Sequence, residues 1–273
     1  MTSVLTKRLN SGIDMPVIGL GVWKASDEEA ENAVAAAVKA GYTSIDTAAV
    51  YRNERGVGRG IARSGVARES LFVTTKVWND QQGYDSTLKA FDDSLAKLGM
   101  DYVDLYLIHW PAASRGLYAE TWKALEKLNR DGRARSIGVS NFFVPHLERL
   151  FQKSDVKPAL NQIELHPTMQ QPELRAFHAK HGIATEAWSP LAQGAIEIPV
   201  IVAIAKRLGR TPAQVILRWH VQIGNIAIPK SVTPSRIAEN IDVFGFELTE
   251  ADMAAIAALD AGNRIGPHPD RMS

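Results

Sequence analysis

Eight short apolar stretches, each followed by a helix-like stretch, constrain this chain more than any other feature of its sequence. The apolar stretches fall at residues 17–21, 43–46, 71–77, 103–109, 135–140, 159–163, 183–188 and 226–230. Helical stretches follow at 27–40, 53–63, 85–98 and 118–130, then a short one after Pro145, then 172–180, 199–208 with 212–221, and finally 234–241 with 249–259. Boundary residues agree: Asp27, Glu28 and Glu29 open the first helix, Gly41 stops it, Asn53 stands at an N-cap position, and Pro172 suits a first turn. Strands alternating with helices require a parallel sheet with crossovers. Eight repeats in 273 residues predict an α/β fold, a closed (β/α)8 TIM barrel, with an open doubly wound sheet as the alternative. Residues 4–15 read as a preceding β-hairpin turning at Asn10, Ser11 and Gly12, and the Gly- and Pro-rich residues 261–273 as an irregular tail. No linker divides the chain, so residues 1–273 are expected to form a single domain.

Composition narrows the function. A net charge of +1 gives no general affinity for polyanions, so nucleic acid is a poor partner. The absence of cysteine excludes disulfides, thiolate metal sites and cysteine catalysis. The first residues lack the apolar run of a signal peptide, and no segment approaches the ~20 apolar residues that span a membrane. A cytoplasmic monomer is expected, without metal.

In a barrel the carboxyl ends of all strands face one mouth, where active sites are built. Here those ends carry Trp23, Asp46, Lys76, His109, Ser140 with Asn141, Gln162, Trp188 with Ser189, and Lys230 with Ser231. Tyr51 follows Asp46 through a loop of small residues. A free phenol, with a pKa of about 10, is a weak acid at neutral pH, and a neighbouring lysine ammonium is expected to lower it. A carboxylate keeps the lysine charged. Asp46, Lys76 and Tyr51 can thus deliver a proton to a carbonyl oxygen, while His109 orients that oxygen or shares the proton. Such a reaction is the reduction of a carbonyl, with hydride from a cofactor. Taken singly, Asp46–Lys76 reads as a structural ion pair, Tyr51 as a rim residue and His109 as a core histidine; their conjunction on successive strand ends favours catalysis. Lys230, Ser231 and Arg236 stand before a helix after the eighth strand, a favoured phosphate position in barrels, or simply a solvated helix start. The glycines at 19, 21, 56, 58 and 60 do not fit the Gly-x-Gly-x-x-Gly spacing, so Rossmann-type binding is not expected. His178 and His181, three apart on a helix, read as a solvated pair before a metal pair. Trp122 and Trp219 read as packing residues.

Residues 41–54, 100–111 and 228–240 together resemble signatures of the aldo-keto reductase family, and the likeness extends over nearly the whole chain. Within the family it is most similar to the bacterial 2,5-diketo-D-gluconate reductases, a type also associated with methylglyoxal reduction; residues 187–194 and 268–270 carry that part. The resemblance implies a tetrad of Asp46, Tyr51, Lys76 and His109, with NADPH lying across the barrel mouth. It places the nicotinamide carboxamide on Ser140, Asn141 and Gln162, and the nicotinamide ring on Trp188, with Ser189 and Leu191 beside the cofactor. Lys230, Ser231, Val232 and Arg236 are implied at the adenosine phosphate, and Glu239 and Asn240 at the adenine. Trp23, Val50, Trp78 and Trp110 would shape a pocket for a small carbonyl substrate: an aldehyde, a ketone or a keto-sugar. One departure is the short stretch Ala195 to Ile198 before Pro199, where relatives carry a longer segment over the pyrophosphate. Rapid cofactor exchange is the expectation. A non-catalytic NADPH-sensing subunit and a Schiff-base aldolase using Lys76 are the alternatives.

Overall fold

The computed structural model describes residues 5–194 and 196–273. Eight parallel strands run in chain order around one sheet: β3 (Leu20–Gly21), β4 (Ser44–Asp46), β5 (Phe72–Val77), β6 (Val103–Ile108), β7 (Ala134–Ser140), β8 (Leu160–Glu164), β9 (Ala184–Trp188) and β10 (Ile226–Ala227). The first and last strands meet through parallel bridges Ile18–Ala227 and Gly21–Lys230, which close the barrel. These two strands are shorter than the sequence suggests, because the chain there keeps only alternate bridges. Before them, β1 (Thr6–Arg8) and β2 (Asp14–Pro16) form the antiparallel hairpin; Val4, its expected start, lies outside the described residues.

The hairpin plugs the amino end of the barrel. Leu9 and Met15 pack with Phe72, Leu105, Leu107, Leu160, Ala184 and Ile226 in one apolar cluster inside the strands. A second, larger cluster lies between the strands and the outer helices, among them α1 (Asp27–Lys39), α2 (Glu54–Ser64) and α3 (Tyr84–Leu98). Gly56, Gly58 and Gly60, three of the glycines that fail the dinucleotide spacing, serve this layer. A Cβ on Gly56 would stand 2.0 Å from Asp27 O, and one on Gly58 would stand 2.2 Å from Leu98 O, so α2 touches its neighbours backbone to backbone. Trp122 and Trp219 are buried in the same layer. Remaining helices include α4 (Tyr118–Arg130), α5 (Val144–Phe151), α6 (Pro172–His181), α7 (Pro199–Leu208), α8 (Pro212–Gln222), α9 (Pro234–Ile241) and α10 (Glu250–Ala257). No helix among the described residues is long and apolar enough to cross a membrane.

Two local expectations change. Asn53 precedes α2 but does not cap it. Its side chain turns inward, with Nδ2 donating to Val22 O (2.9 Å) and Ala25 O (3.0 Å) and Oδ1 accepting from Thr47 (2.8 Å). A fully buried amide must satisfy itself, and here it ties the loop after β3 to the loop after β4. His178 and His181 are not a solvated pair. His178 is buried between Asn161 and Thr185, and burial pulls its pKa down to about 3.

Candidate active site

Inside each strand, alternate residues climb from the apolar plug to the mouth. β5 presents Phe72, Thr74 and Lys76; the β6 segment presents Leu105, Leu107 and His109; β8 presents Leu160, Gln162 and Glu164; β9 presents Ala184, Glu186 and Trp188. Asp46 lies opposite Thr74 in the parallel register, so Lys76, two residues further on the same face, rises beside it. Lys76 Nζ donates to Asp46 Oδ1 at 2.6 Å and to Thr47 O at 2.9 Å. Gln162 and Glu186 are register partners, and Gln162 Nε2 reaches both Glu186 Oε2 (2.7 Å) and Asp46 Oδ2 (2.9 Å). A continuous polar layer, Lys76–Asp46–Gln162–Glu186, therefore crosses the barrel above the plug.

Tyr51 ends a single 3-10 turn, Ala49–Tyr51, with Arg52 in the left-handed region at φ 59° releasing the chain into α2. Its ring lies 5.3 Å from the Lys76 ammonium and 5.6 Å, edge on, from the His109 ring. Trp78 meets His109 edge on at 5.1 Å, and Trp110 lies nearly parallel to it at 6.4 Å. All four predicted tetrad residues thus converge, with two of the four predicted pocket residues around them. Val50 adjoins Tyr51, half-buried. Trp23 stands out at 40% exposure with the Lys24 ammonium over its ring.

The electrostatics revise one expectation. Burial raises the Tyr51 phenol, and although Lys76 pulls the other way, Asp46 and Glu186 add to the rise. The phenol is therefore harder, not easier, to ionise than a free one. Burial would lower Lys76, but Asp46, Tyr51 and Glu186 together leave it raised and firmly an ammonium. Burial raises Asp46 too, against Lys76 and Gln162. His109 falls well below its ordinary value through burial and then the Lys76 charge, so it is a neutral imidazole.

A second constellation lies along β7 to β9. Ser140 Oγ donates to Gln162 O (2.9 Å), Asn141 Nδ2 donates to Ser140 Oγ (3.0 Å) and to His109 O (2.9 Å), and Trp188 Nε1 donates to Asn141 Oδ1 (2.8 Å). Asn141, at φ 64°, adopts the left-handed turn that swings its amide to the mouth. Ser189 and Leu191 follow, half-buried. Lys230 and Arg236 are exposed at the entry to α9, with Ser231 buried and Val232 between. Glu239 accepts from Thr211 at 2.7 Å and Asn240 is buried. The irregular tail is strapped down: Glu164 accepts from Ile265 N (2.5 Å) and Gly266 N (3.1 Å), and a Cβ on Gly266 would stand 2.3 Å from the Trp188 ring.

Glu186 and Glu164 enter the site without being among the residues expected there. The signal is present: Glu186 is a carboxyl inside an apolar strand and Glu164 stands at the end of one, each buried and two residues from a named site residue. Among the described residues no group of three or more His, Asp or Glu is placed to hold a metal ion.

Residues 17–261 match the Aldo/keto reductase family, and the chain belongs to it. Its sequence is 53% identical over 269 residues to the glyoxal reductase of Bacillus subtilis (strain 168), covering 98% of this chain and 97% of that protein. It is 51% identical over 267 residues to the methylglyoxal reductase DkgA of Escherichia coli (strain K12), covering 97% and 96%. The crystal structure of a Gox0644 point mutant in complex with NADPH superposes with a TM-score of 0.96 at 50% identity, covering 99% of each chain. The family assignment makes this chain an oxidoreductase built on a TIM barrel.

Proposed function

We propose that this protein is an NADPH-dependent reductase of small aldehydes, ketones or keto-sugars, of the glyoxal, methylglyoxal or 2,5-diketo-D-gluconate type, with Tyr51 as the general acid. The observation that carries this reading is the sealed Asp46–Lys76 pair beneath the Tyr51 phenol, with a neutral His109 beside it. The names of the B. subtilis and E. coli relatives support the substrate class, and the NADPH complex of the structural neighbour supports the cofactor. The residues fit that cofactor. Trp188 offers a half-buried indole locked at Nε1, beside the buried polar groups of Ser140, Asn141 and Gln162. Gln162 spends both amide hydrogens on carboxyl oxygens, which leaves Oε1 to accept from a carboxamide. Exposed Lys230 and Arg236 at the α9 entry suit a phosphate.

NADPH supplies the hydride when bound. The chain supplies the proton and the field. Burial keeps the proton on Tyr51 at neutral pH, and the Lys76 ammonium meets the negative charge as the phenol gives that proton up. Neutral His109 has a ring N–H to direct the carbonyl oxygen. Trp78 and Trp110 wall the pocket and exclude water. The Schiff-base alternative needs a free amine, whereas Lys76 is held protonated 2.6 Å from Asp46. The short connection after Gly194, whose Ala195 lies outside the described residues, supports rapid cofactor release; release slower than turnover in stopped flow rejects that part.

NADPH oxidation against glyoxal, methylglyoxal and 2,5-diketo-D-gluconate, with Tyr51→Phe in parallel, tests the reading. Turnover lost in the variant supports it. NADPH bound but never oxidised overturns it in favour of a sensing subunit, and substrate trapped on Lys76 by borohydride overturns it in favour of an aldolase.

A further inference from the structure

Among the described residues, the polar layer beneath the Tyr51 phenol holds two carboxyl groups, Asp46 and Glu186, and one ammonium, Lys76. Asp46 takes Lys76 directly, at 2.6 Å. Glu186 makes no ion pair among the described residues: Oε2 accepts from Gln162 Nε2 at 2.7 Å, and Oε1 is buried without a partner. An anion with one amide donor and one orphan oxygen, sealed from water, is a costly arrangement. A neutral carboxyl with the same contacts is a mild one. Gln162 sits between the two carboxyls, and its single amide group donates to both.

We propose that Glu186 is a positioning residue that stores a proton beneath the tetrad: neutral, it fixes the Gln162 amide and leaves Asp46 as the anion opposite Lys76. The charged and titratable groups that interact with Glu186 are Asp46 from β4, Lys76 from β5 and Tyr51 from the turn after β4. β8 adds the neutral Gln162 amide, and β10 adds apolar Ile226 in register with Glu186. Burial, with the Asp46 charge adding to it, pushes the Glu186 carboxyl up to about 8, against the weaker pull of Gln162 and Lys76. Below that pH the layer carries one negative charge opposite one positive charge. Above it, Glu186 adds a second negative charge, which raises the phenol further and makes Tyr51 a weaker acid. Turnover therefore falls as pH rises through about 8. This catalytic consequence rests on the reductase reading; the stored proton does not.

Carbon NMR of the free protein, labelled at its glutamate carboxyl carbons, tests the proton directly. One resonance should keep its protonated position through neutral pH, titrate near 8, and be missing in Glu186→Gln. Ionisation of every glutamate by about pH 6 overturns the proposal. Turnover against pH tests the consequence: Glu186→Gln, which copies the shape of the neutral carboxyl, should carry the alkaline decline up by about one pH unit or more. An unmoved decline overturns the link to catalysis. Glu186→Leu, which deprives the Gln162 amide of a partner, should raise the NADPH Kd about tenfold by tryptophan fluorescence. An unchanged Kd overturns the positioning role. A protein without reductase turnover leaves the NMR result to decide the proton by itself.

Discussion

Two buried aspartates at opposite ends of this barrel use similar partners to opposite effect. Near the hairpin end, Asp104 accepts from Arg68 Nη2 (2.7 Å) and Val73 N (2.9 Å) on one oxygen and from Arg135 Nη1 (2.9 Å) on the other. Its cations reach water, with side chains 17% and 45% exposed. At the mouth, Asp46 meets Lys76 and Gln162, and the Lys76 side chain is 0% exposed. The first arrangement is a clamp between strands, fully satisfied and bathed on its cationic side. The second is a charge pair cut off from solvent directly beneath a phenol, where its field acts at full strength on whatever proton moves above it. Access of water to the cation, more than the ion pair itself, separates structure from chemistry here.

That contrast can be broken most sharply at Tyr51. Tyr51→Phe keeps the ring and removes the hydroxyl that carries the proton, so kcat should drop by about a hundred- to ten-thousand-fold while the thermal midpoint barely moves. Steady-state rates beside a melting curve check both halves. Asp104→Ala should do the reverse: about 2–3 kcal/mol of stability lost by urea unfolding, discounted for the solvated arginines, with turnover of the folded fraction retained.

Smaller effects sharpen the comparison through pH. The folded-state pKa of Glu186 is raised from 4.5 to about 8, so its stabilising contribution is full below 4.5 and is lost as pH rises through 8. His178 and His220 are lowered from 6.5 to about 3, chiefly by burial, so their contribution is full above 6.5 and is lost as pH falls through 3. Urea midpoints measured across this range should therefore decline on both sides, and Glu186→Gln should flatten only the alkaline side. The smallest expected change is at the rim. Trp188→Phe removes the 2.8 Å bond to Asn141 and should weaken NADPH binding by about 1 kcal/mol, read as a Kd.

Much of this molecule is legible from residue order. Apolar runs separated by helical spacing read as a barrel, and Asp46, Tyr51, Lys76 and His109 stand out because polar residues recur at strand ends. Asn53 reads as a cap but is not one, since a side chain that bonds inward and one that caps a helix look alike in sequence. The direction of the Tyr51 shift escapes the sequence for a related reason. A neighbouring cation can be inferred from proximity in the pattern, but the loss of water around the phenol depends on what packs over it. Glu186 is visible in the sequence as a carboxyl inside an apolar strand, but its lack of a cation is not, because that depends on which of its neighbours on other strands is charged.

The sequence by itself determined the strand count, the alternation that turns Lys76, Gln162 and Trp188 to one face, and the family to which the chain belongs. Only the tertiary structure decided which charges meet, which are sealed from water and which carboxyl is left without a cation. The physical reason is that periodicity is a local property set by backbone geometry, whereas solvation and Coulomb energy depend on distances between residues far apart in the chain.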